Sequence, residues 1–283
     1  MIVAEASGGS QEGQEGAVTG PTSYRTLALL LEYDGTHFYG FAKQPGKRTV
    51  EGVLSDALLT VLRDPSLKIS VAGRTDAGVH ALGQVVSVRT RSDVETGSLE
   101  RSLRRLLPDE ISVRVVDAPD GFDARRSALS RRYRYRVLTT PHPDPLRRNR
   151  VWWVGELSSE ARGILETAAS LLMGTHDFKA FCKKSTVSIA NTRRTVIDAL
   201  WTRPLCSCGL CTGELWFEIE AEAFCQQMVR RLVATMVHWA TRGLEPVRPD
   251  AVDRLSVPPA PPSGLYLLSV RYPFSLLGKG GAG

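Results

Sequence analysis

The chain has 283 residues, of which 42% are hydrophobic, 23% charged and 7% aromatic. That apolar fraction supports a buried core and excludes the disordered, collagen-like and small disulfide-stapled classes, and no apolar run approaches the roughly 18 residues of a membrane span. Lys and Arg number 36 against 30 Asp and Glu, a formal charge of +6, as in a moderately basic soluble protein of one large or two medium domains.

Residues 1–23 are rich in Gly, Ser, Gln and Glu, lack periodicity and carry no Lys or Arg. They read as a disordered leader rather than a signal or transit peptide. The leucine-rich run Thr26–Tyr33 ends at Asp34-Gly35, a turn signal, and predicts a buried strand. Thr49 is a candidate N-cap for a helix over Val50–Arg63, where Val53, Leu54, Ala57, Leu58 and Val61 recur at helical spacing. Leu67–Ala72 and Gln84–Arg89 read as short strands on either side of a glycine-rich loop, Ser98–Leu107 as a second helix and Ile111–Asp117 as an alternating strand. Over Ser130–Thr139 the period is two. Tyr133, Tyr135 and Val137 face one way and Arg132, Arg134 and Arg136 the other, which predicts a strand with an aromatic and a cationic face.

Between Arg101 and Arg150 stand 13 arginines, no lysine and six acidic residues. Guanidinium forks suit phosphate, so this strip reads either as a nucleic-acid footprint or as a solvated face. The pattern then recurs after Pro141–Pro145, a natural connection. Val151–Val154 is a strand, Ser159–Met173 a helix, and Thr195–Thr202 with Glu214–Ala221 a hairpin across a cysteine-bearing insertion. Gln226–Arg242 carries one apolar stripe and predicts a long helix, Pro249–Leu255 a short one, and Leu265–Arg271 a closing strand. The expectation is an α+β fold of two similar halves, 24–140 and 141–276, sharing one extended sheet, with 277–283 a flexible tail.

The five cysteines are expected to be reduced thiols in a cytoplasmic protein. Cys206, Cys208 and Cys211 resemble part of a metal site, which Cys225 or Cys182 could close in space. A structural zinc site needs four ligands, and no second cluster completes this one, so a cysteine-rich hairpin tip without metal is the preferred reading.

The segment Gly73-Arg74-Thr75-Asp76-Ala77-Gly78-Val79-His80-Ala81 joins two predicted strands. Its glycines let backbone turn tightly and approach a ligand, and it gathers a cation, a hydroxyl, a carboxylate and an imidazole. An ionised carboxylate there can act as base or nucleophile, and a structural Arg–Asp turn is the other reading. This segment, followed by Leu82-Gly83-Gln84-Val85-Val86, closely resembles the catalytic motif of TruA-type tRNA pseudouridine synthases. Companions match in order: Tyr33-Asp34-Gly35-Thr36-His37-Phe38-Tyr39-Gly40-Phe41, Thr49-Val50-Glu51-Gly52-Val53-Leu54, Phe122-Asp123-Ala124-Arg125, Arg131-Arg132-Tyr133-Arg134-Tyr135, Ala223-Phe224-Cys225-Gln226-Gln227-Met228-Val229-Arg230 and Gly264-Leu265-Tyr266-Leu267. The resemblance runs from about Thr26 to Pro273.

The resemblance implies the pseudouridine synthase fold, with two ferredoxin- or RRM-like halves on a mostly antiparallel sheet flanked by helices. It implies conversion of uridine to pseudouridine at positions 38–40 of the tRNA anticodon stem-loop, by base flipping, with no cofactor or metal and as a homodimer. On this resemblance Asp76 matches the catalytic aspartate, Tyr133 the active-site tyrosine and Arg230 the basic partner of the carboxylate. Arg74 matches a residue that fills the vacated stack or holds the backbone, Leu265 an apolar wall under the uracil, and Arg125 a tRNA contact, while His80 reads as structural. Phe41 stands where many relatives have tryptophan, Gln226 and Gln227 where some have histidines, and Ala234 where a glycine occurs. Two alternatives stand beside this reading. A non-catalytic RNA-binding protein would be expected to lack Asp76, Tyr133 or Arg230, and a carboxylate hydrolase would need a second acid that the loop does not supply.

Overall fold

The computed structural model describes residues 24–183, 191–204 and 212–276. The leader, the tail and Cys206, Cys208 and Cys211 lie outside the described residues. Strand β1 (Arg25–Tyr33) is followed by α1 (Val50–Leu62), β2 (Lys68–Val71), β3 (His80–Thr90), α2 (Thr96–Leu106), β4 (Ile111–Asp117) and β5 (Ser130–Leu138). Then come β6 (Trp152–Trp153), α3 (Ser159–Ser170), β7 (Gly174–Asp177), β8 (Arg193–Thr202), β9 (Glu214–Ala221), α4 (Met228–Arg242) and β10 (Leu265–Arg271). The α+β expectation with one shared sheet holds. The strands join in the order β4-β1-β3-β10-β5-β9-β8-β7, with β2 on β3 and β6 on β5.

Most pairings are antiparallel. The exceptions are β6 on β5 and the short parallel contact of β10 with β3, where Tyr266 faces His80 and Leu267 faces Ala81. That contact brings the start of β3, and so the loop before it, beside β10 and β5. Thr49 caps α1 by accepting from the Gly52 N–H, and Glu95 caps α2, which therefore starts two residues before the predicted Ser98. The helices cover one face of the sheet. Leu27, Leu29 and Leu31 of β1 share a core with Leu54, Leu58, Leu99 and Leu103, and the same core continues through Tyr135, Phe217 and Ile219 to Leu165, Leu232 and Val233. On the opposite face Ala28, Val85, Phe122, Ala124 and Tyr272 form a smaller cluster.

The alternation on β5 is as predicted, with Tyr133, Tyr135 and Val137 buried. The cationic face is not an open footprint. Arg132 pairs with Asp198, Glu218 and Glu220, Arg134 with Glu218 at 2.6 Å, and Arg136 with Glu214 at 2.7 Å. Arg134 also lies 3.9 Å over the Trp216 ring. These acids stand on β8 and β9, distant in sequence but adjacent across the sheet, so a local charge count could not see them. Of the two readings of the strip, this part is neither RNA footprint nor free solvated charge. It is a compensated cross-strand ladder.

The expectation of reduced thiols is corrected for two of the five cysteines. Cys182 and Cys225 form a disulfide, with Cα atoms 5.5 Å apart and a sequence separation of 43. The Lys183 N–H donates to the Gln226 carbonyl at 3.0 Å, bringing the two segments side by side. Neither cysteine is then free to complete a site with the Cys206 cluster, and no group of three or more metal-ligating side chains occurs among the described residues. Replacing both cysteines by serine is expected to lower the unfolding free energy in urea by about 2–4 kcal/mol. Wild-type protein in dithiothreitol should fall to the same value.

Candidate active site

All six residues singled out from sequence line one cavity of about 1020 Å³: Arg74, Asp76, Arg125, Tyr133, Arg230 and Leu265. It opens where the Gly73–Val79 loop, the start of α4, β5 and β10 converge. The loop leaves β2 and enters β3, and its backbone is fixed from both sides. Phe41 N donates to Thr75 O at 3.1 Å and Gly78 N to Phe38 O at 3.2 Å, so the segment after β1 is laid directly on it. Two glycines permit this approach. A Cβ on Gly40, whose φ is +88°, would stand 2.8 Å from Thr75 O, and one on Gly35 would stand 1.9 Å from Val79 O. Gly35→Ala must therefore displace loop backbone. It is expected to cost about 1–3 kcal/mol in chemical denaturation, and turnover of the folded variant should fall at least about tenfold because the loop carries Asp76, the candidate reacting group.

Below the loop is a buried polar network. The Tyr33 hydroxyl and Thr75 Oγ1 are 2.8 Å apart, and Gln84 Nε2 donates to Gly73 O at 2.7 Å and to the Tyr33 hydroxyl at 3.4 Å. Burial, only partly offset by these bonds to Thr75 and Gln84, pushes the Tyr33 phenol up to about 12, so it stays neutral and serves as a fixed hydrogen-bonding group. His80 is buried and outside the cavity. Its Nδ1 accepts from Gly35 N at 3.2 Å, its Nε2 lies 3.0 Å from Asn149 O, and its ring stacks on Tyr266 at 4.7 Å.

Asp76 reaches across to α4. Arg230 Nη1 donates to Asp76 Oδ2 at 2.9 Å, while Nε of the same guanidinium donates to Ala260 O at 2.8 Å. The second bond fixes the fork, and the fork fixes the carboxylate. Arg230 stands in the first turn of α4, which begins at Met228 rather than Gln226 because Gln227 adopts a left-handed conformation at φ +66°. Such backbone costs about 1–3 kcal/mol and is found where surrounding structure holds it. Tyr133 points from β5 into the cavity beside Asp76, with Phe224 edge-on to its ring at 5.0 Å. Burial pushes the Tyr133 phenol up, so its hydroxyl keeps its proton. Leu265, on β10, faces the Tyr133–Tyr135 side of β5.

The cavity's charge is strongly positive. Arg74, Arg125, Arg131 and Arg194 also line it, and among the described residues none of these four has a carboxylate partner. Arg74 and Arg125 are exposed at the rim. Arg194, from β8, is part-buried and its Nε has no hydrogen-bond partner among the described residues. Four cations without a carboxylate partner thus line the cavity, whereas those of the β5 ladder are neutralised. Sequence reading missed Phe224 and Arg194 as parts of the wall. Phe224 was visible only as a member of a matching segment, and Arg194 carries no local signal.

One carboxylate held by one arginine, beside a protonated tyrosine and an apolar wall within a cationic cavity, suits a reaction on a base attached to phosphodiester backbone. Comparison with known proteins gives the class. Residues 30–125 and 168–273 match the family described as tRNA pseudouridine synthase, and the chain belongs to that family. Among its relatives is the tRNA pseudouridine synthase A of Frankia casuarinae, 44% identical over 259 residues, covering 87% of this chain and 89% of that protein. The protein of the same name from Streptomyces griseus is 45% identical over 214 residues, 73% of this chain and 72% of its own. That of Thermus thermophilus is 39% identical over 259 residues, 88% of this chain and 97% of its own. Among the described residues no helix is long and apolar enough to cross a membrane.

Proposed function

We propose that this chain isomerises uridine to pseudouridine in the anticodon stem-loop of tRNA, at positions 38–40, as a cytoplasmic homodimer that needs no cofactor. The Asp76–Arg230 pair at 2.9 Å, set in a cavity that holds all six candidate residues, carries this reading. In the reaction the bond from uracil N1 to ribose C1′ breaks, a bond from C5 to C1′ forms, and the proton on C5 is lost to solvent while N1 gains one. Asp76 supplies the nucleophile or base. Arg230 holds its rotamer. Tyr133 stacks on the extruded base and offers its O–H, and Leu265 closes the apolar side. Arg74 and Arg125, exposed at the rim and without a carboxylate partner among the described residues, bind the backbone of the extruded nucleotide and offset the few kcal/mol that unstacking costs. Two basic cavities on one dimer would give a chain of modest net charge a long enough cationic surface for tRNA.

The test uses an unmodified tRNA transcript tritiated at uracil C5. Release of tritium to water, with pseudouridine mapped to the anticodon arm, is the expected result. Tight, salt-sensitive binding without release would favour the RNA-binding alternative, and free uracil would favour the hydrolase. Light scattering at micromolar protein should give twice the chain mass.

A further inference from the structure

Arg131 is the second residue of β5, two before Tyr133, in the arginine-rich strip whose charge suggests RNA contact. Its guanidinium is turned inward and spent on backbone. Nε and Nη2 both donate to Ala72 O, at 3.1 and 2.9 Å. Nη2 also donates to Arg125 O at 2.8 Å, and Nη1 to Glu222 O at 2.8 Å and Ala128 O at 3.4 Å. Every nitrogen of the fork is engaged, and every acceptor is a carbonyl.

The three closest acceptors belong to three different walls of the cavity. Ala72 is the residue before the Gly73–Val79 loop that carries Asp76. Glu222 is the residue before the Ala223–Gln227 segment, which places Phe224 against Tyr133 and opens α4 with Arg230. Arg125 is itself a rim cation. One planar cation thus ties together the backbones that bear both partners of the Asp76–Arg230 pair, on the strand that bears Tyr133. A lysine ammonium has the charge but not the fork, and cannot reach all three carbonyls at once.

We propose that Arg131 is a positioning residue for the isomerisation, setting the Asp76 loop, the Phe224–Arg230 segment and the Arg125 segment against Tyr133 without itself contacting RNA; the inference rests on the function proposed above. Misplacement of reacting groups by about 1 Å costs on the order of 100-fold in rate, so Arg131→Lys is expected to lower the single-turnover rate of tritium release about 10- to 100-fold. The tRNA Kd should change by less than about threefold, and the slope of log K against log salt should not change, because a residue that touches no phosphate releases no counterion. Free guanidinium should restore part of the rate in Arg131→Ala. Hydrogen exchange gives a readout independent of activity: in Arg131→Lys the amides of 73–79 and 223–227 should lose protection together while α2 and β4 stay protected.

Unchanged rate and unchanged exchange in Arg131→Lys would overturn the proposal. So would a loss confined to Kd and salt slope, which would make Arg131 a phosphate contact. Rates are read well below the melting temperature of each variant, and Arg131→Gln replaces Arg131→Lys if the latter does not fold. Absence of tritium release by wild type would refute the proposed function, whereas the exchange arm still decides whether Arg131 holds the two loops.

Discussion

Asp76→Asn is expected to bind tRNA as wild type does and to release no measurable tritium, a fall of about 10⁴-fold or more, as for other single catalytic groups. The separation of binding from chemistry follows from the geometry. The amide is isosteric with the carboxylate, and its oxygen can still accept from Arg230 Nη1, so the fork that also bonds Ala260 O stays in place. Backbone contacts from Phe41 and Gly78, and the Gln84 bond to Gly73 O, hold the loop without using the Asp76 side chain. The rim cations Arg74 and Arg125 are untouched. What is lost is the negative charge and one of the two acceptor oxygens, and with them the strength of the group as nucleophile or base. Filter binding at two salt concentrations and tritium release on the same preparations measure both quantities. Retained turnover would remove Asp76 from its assigned role, and weakened binding would mean that the carboxylate orders the RNA site as well.

Elements with strong periodicity were legible at once. Ile111–Asp117, read from its alternation, and the closing strand Leu265–Arg271 have the predicted bounds, and Thr49 is the N-cap it looked to be. The misses share a cause, which is dependence on partners far away in sequence. β7 (Gly174–Asp177) has little strand propensity of its own. It exists because β8 pairs with it and because His176 is held by Asp250 at 2.6 Å and Met173 O at 2.8 Å. Pro249–Leu255 read as a short helix but forms only the 3-10 turn Pro249–Ala251, with Val252 extended. β3 begins at His80 rather than Gln84 because β10 and the end of β1 reach it there. The site divides in the same way. A contiguous motif announces Asp76 and its loop, and the resemblance supplied Tyr133 and Arg230. Contacts between a guanidinium and carbonyls leave no side-chain pattern at the acceptor positions, so the role of Arg131 was invisible until the strands were assembled. Charge compensation across β5, β8 and β9 was invisible because its acids stand far from the arginines in sequence.

Arg230 is where the second large effect is expected, and there the shape of the cation matters as much as its charge. Arg230→Met removes the Asp76 partner and leaves Ala260 O without its donor, and turnover should fall on the order of 100-fold or more through loss of the carboxylate's fixed position. Arg230→Lys keeps a positive charge in the first turn of α4 but has one nitrogen where two are used, so it can meet Asp76 or Ala260 O but not both. If charge alone served, Lys would restore wild-type rate; the fork geometry predicts recovery of only part of the loss, leaving a deficit of about tenfold. Stability should follow a different order. The Ala260 bond ties the segment before β10 to α4, with Ala260 N donating back to Arg230 O at 3.1 Å, and removing a charge-assisted bond of this kind costs about 1.5–3 kcal/mol. Lys is therefore expected to split its behaviour: near-normal stability with poor turnover if it chooses Ala260 O, or better turnover with reduced stability if it chooses Asp76. Urea unfolding together with single-turnover rates on wild type, Arg230→Lys and Arg230→Met separates the two. Full activity in Arg230→Met would mean that the loop holds Asp76 unaided, and that the 2.9 Å contact is incidental to the chemistry.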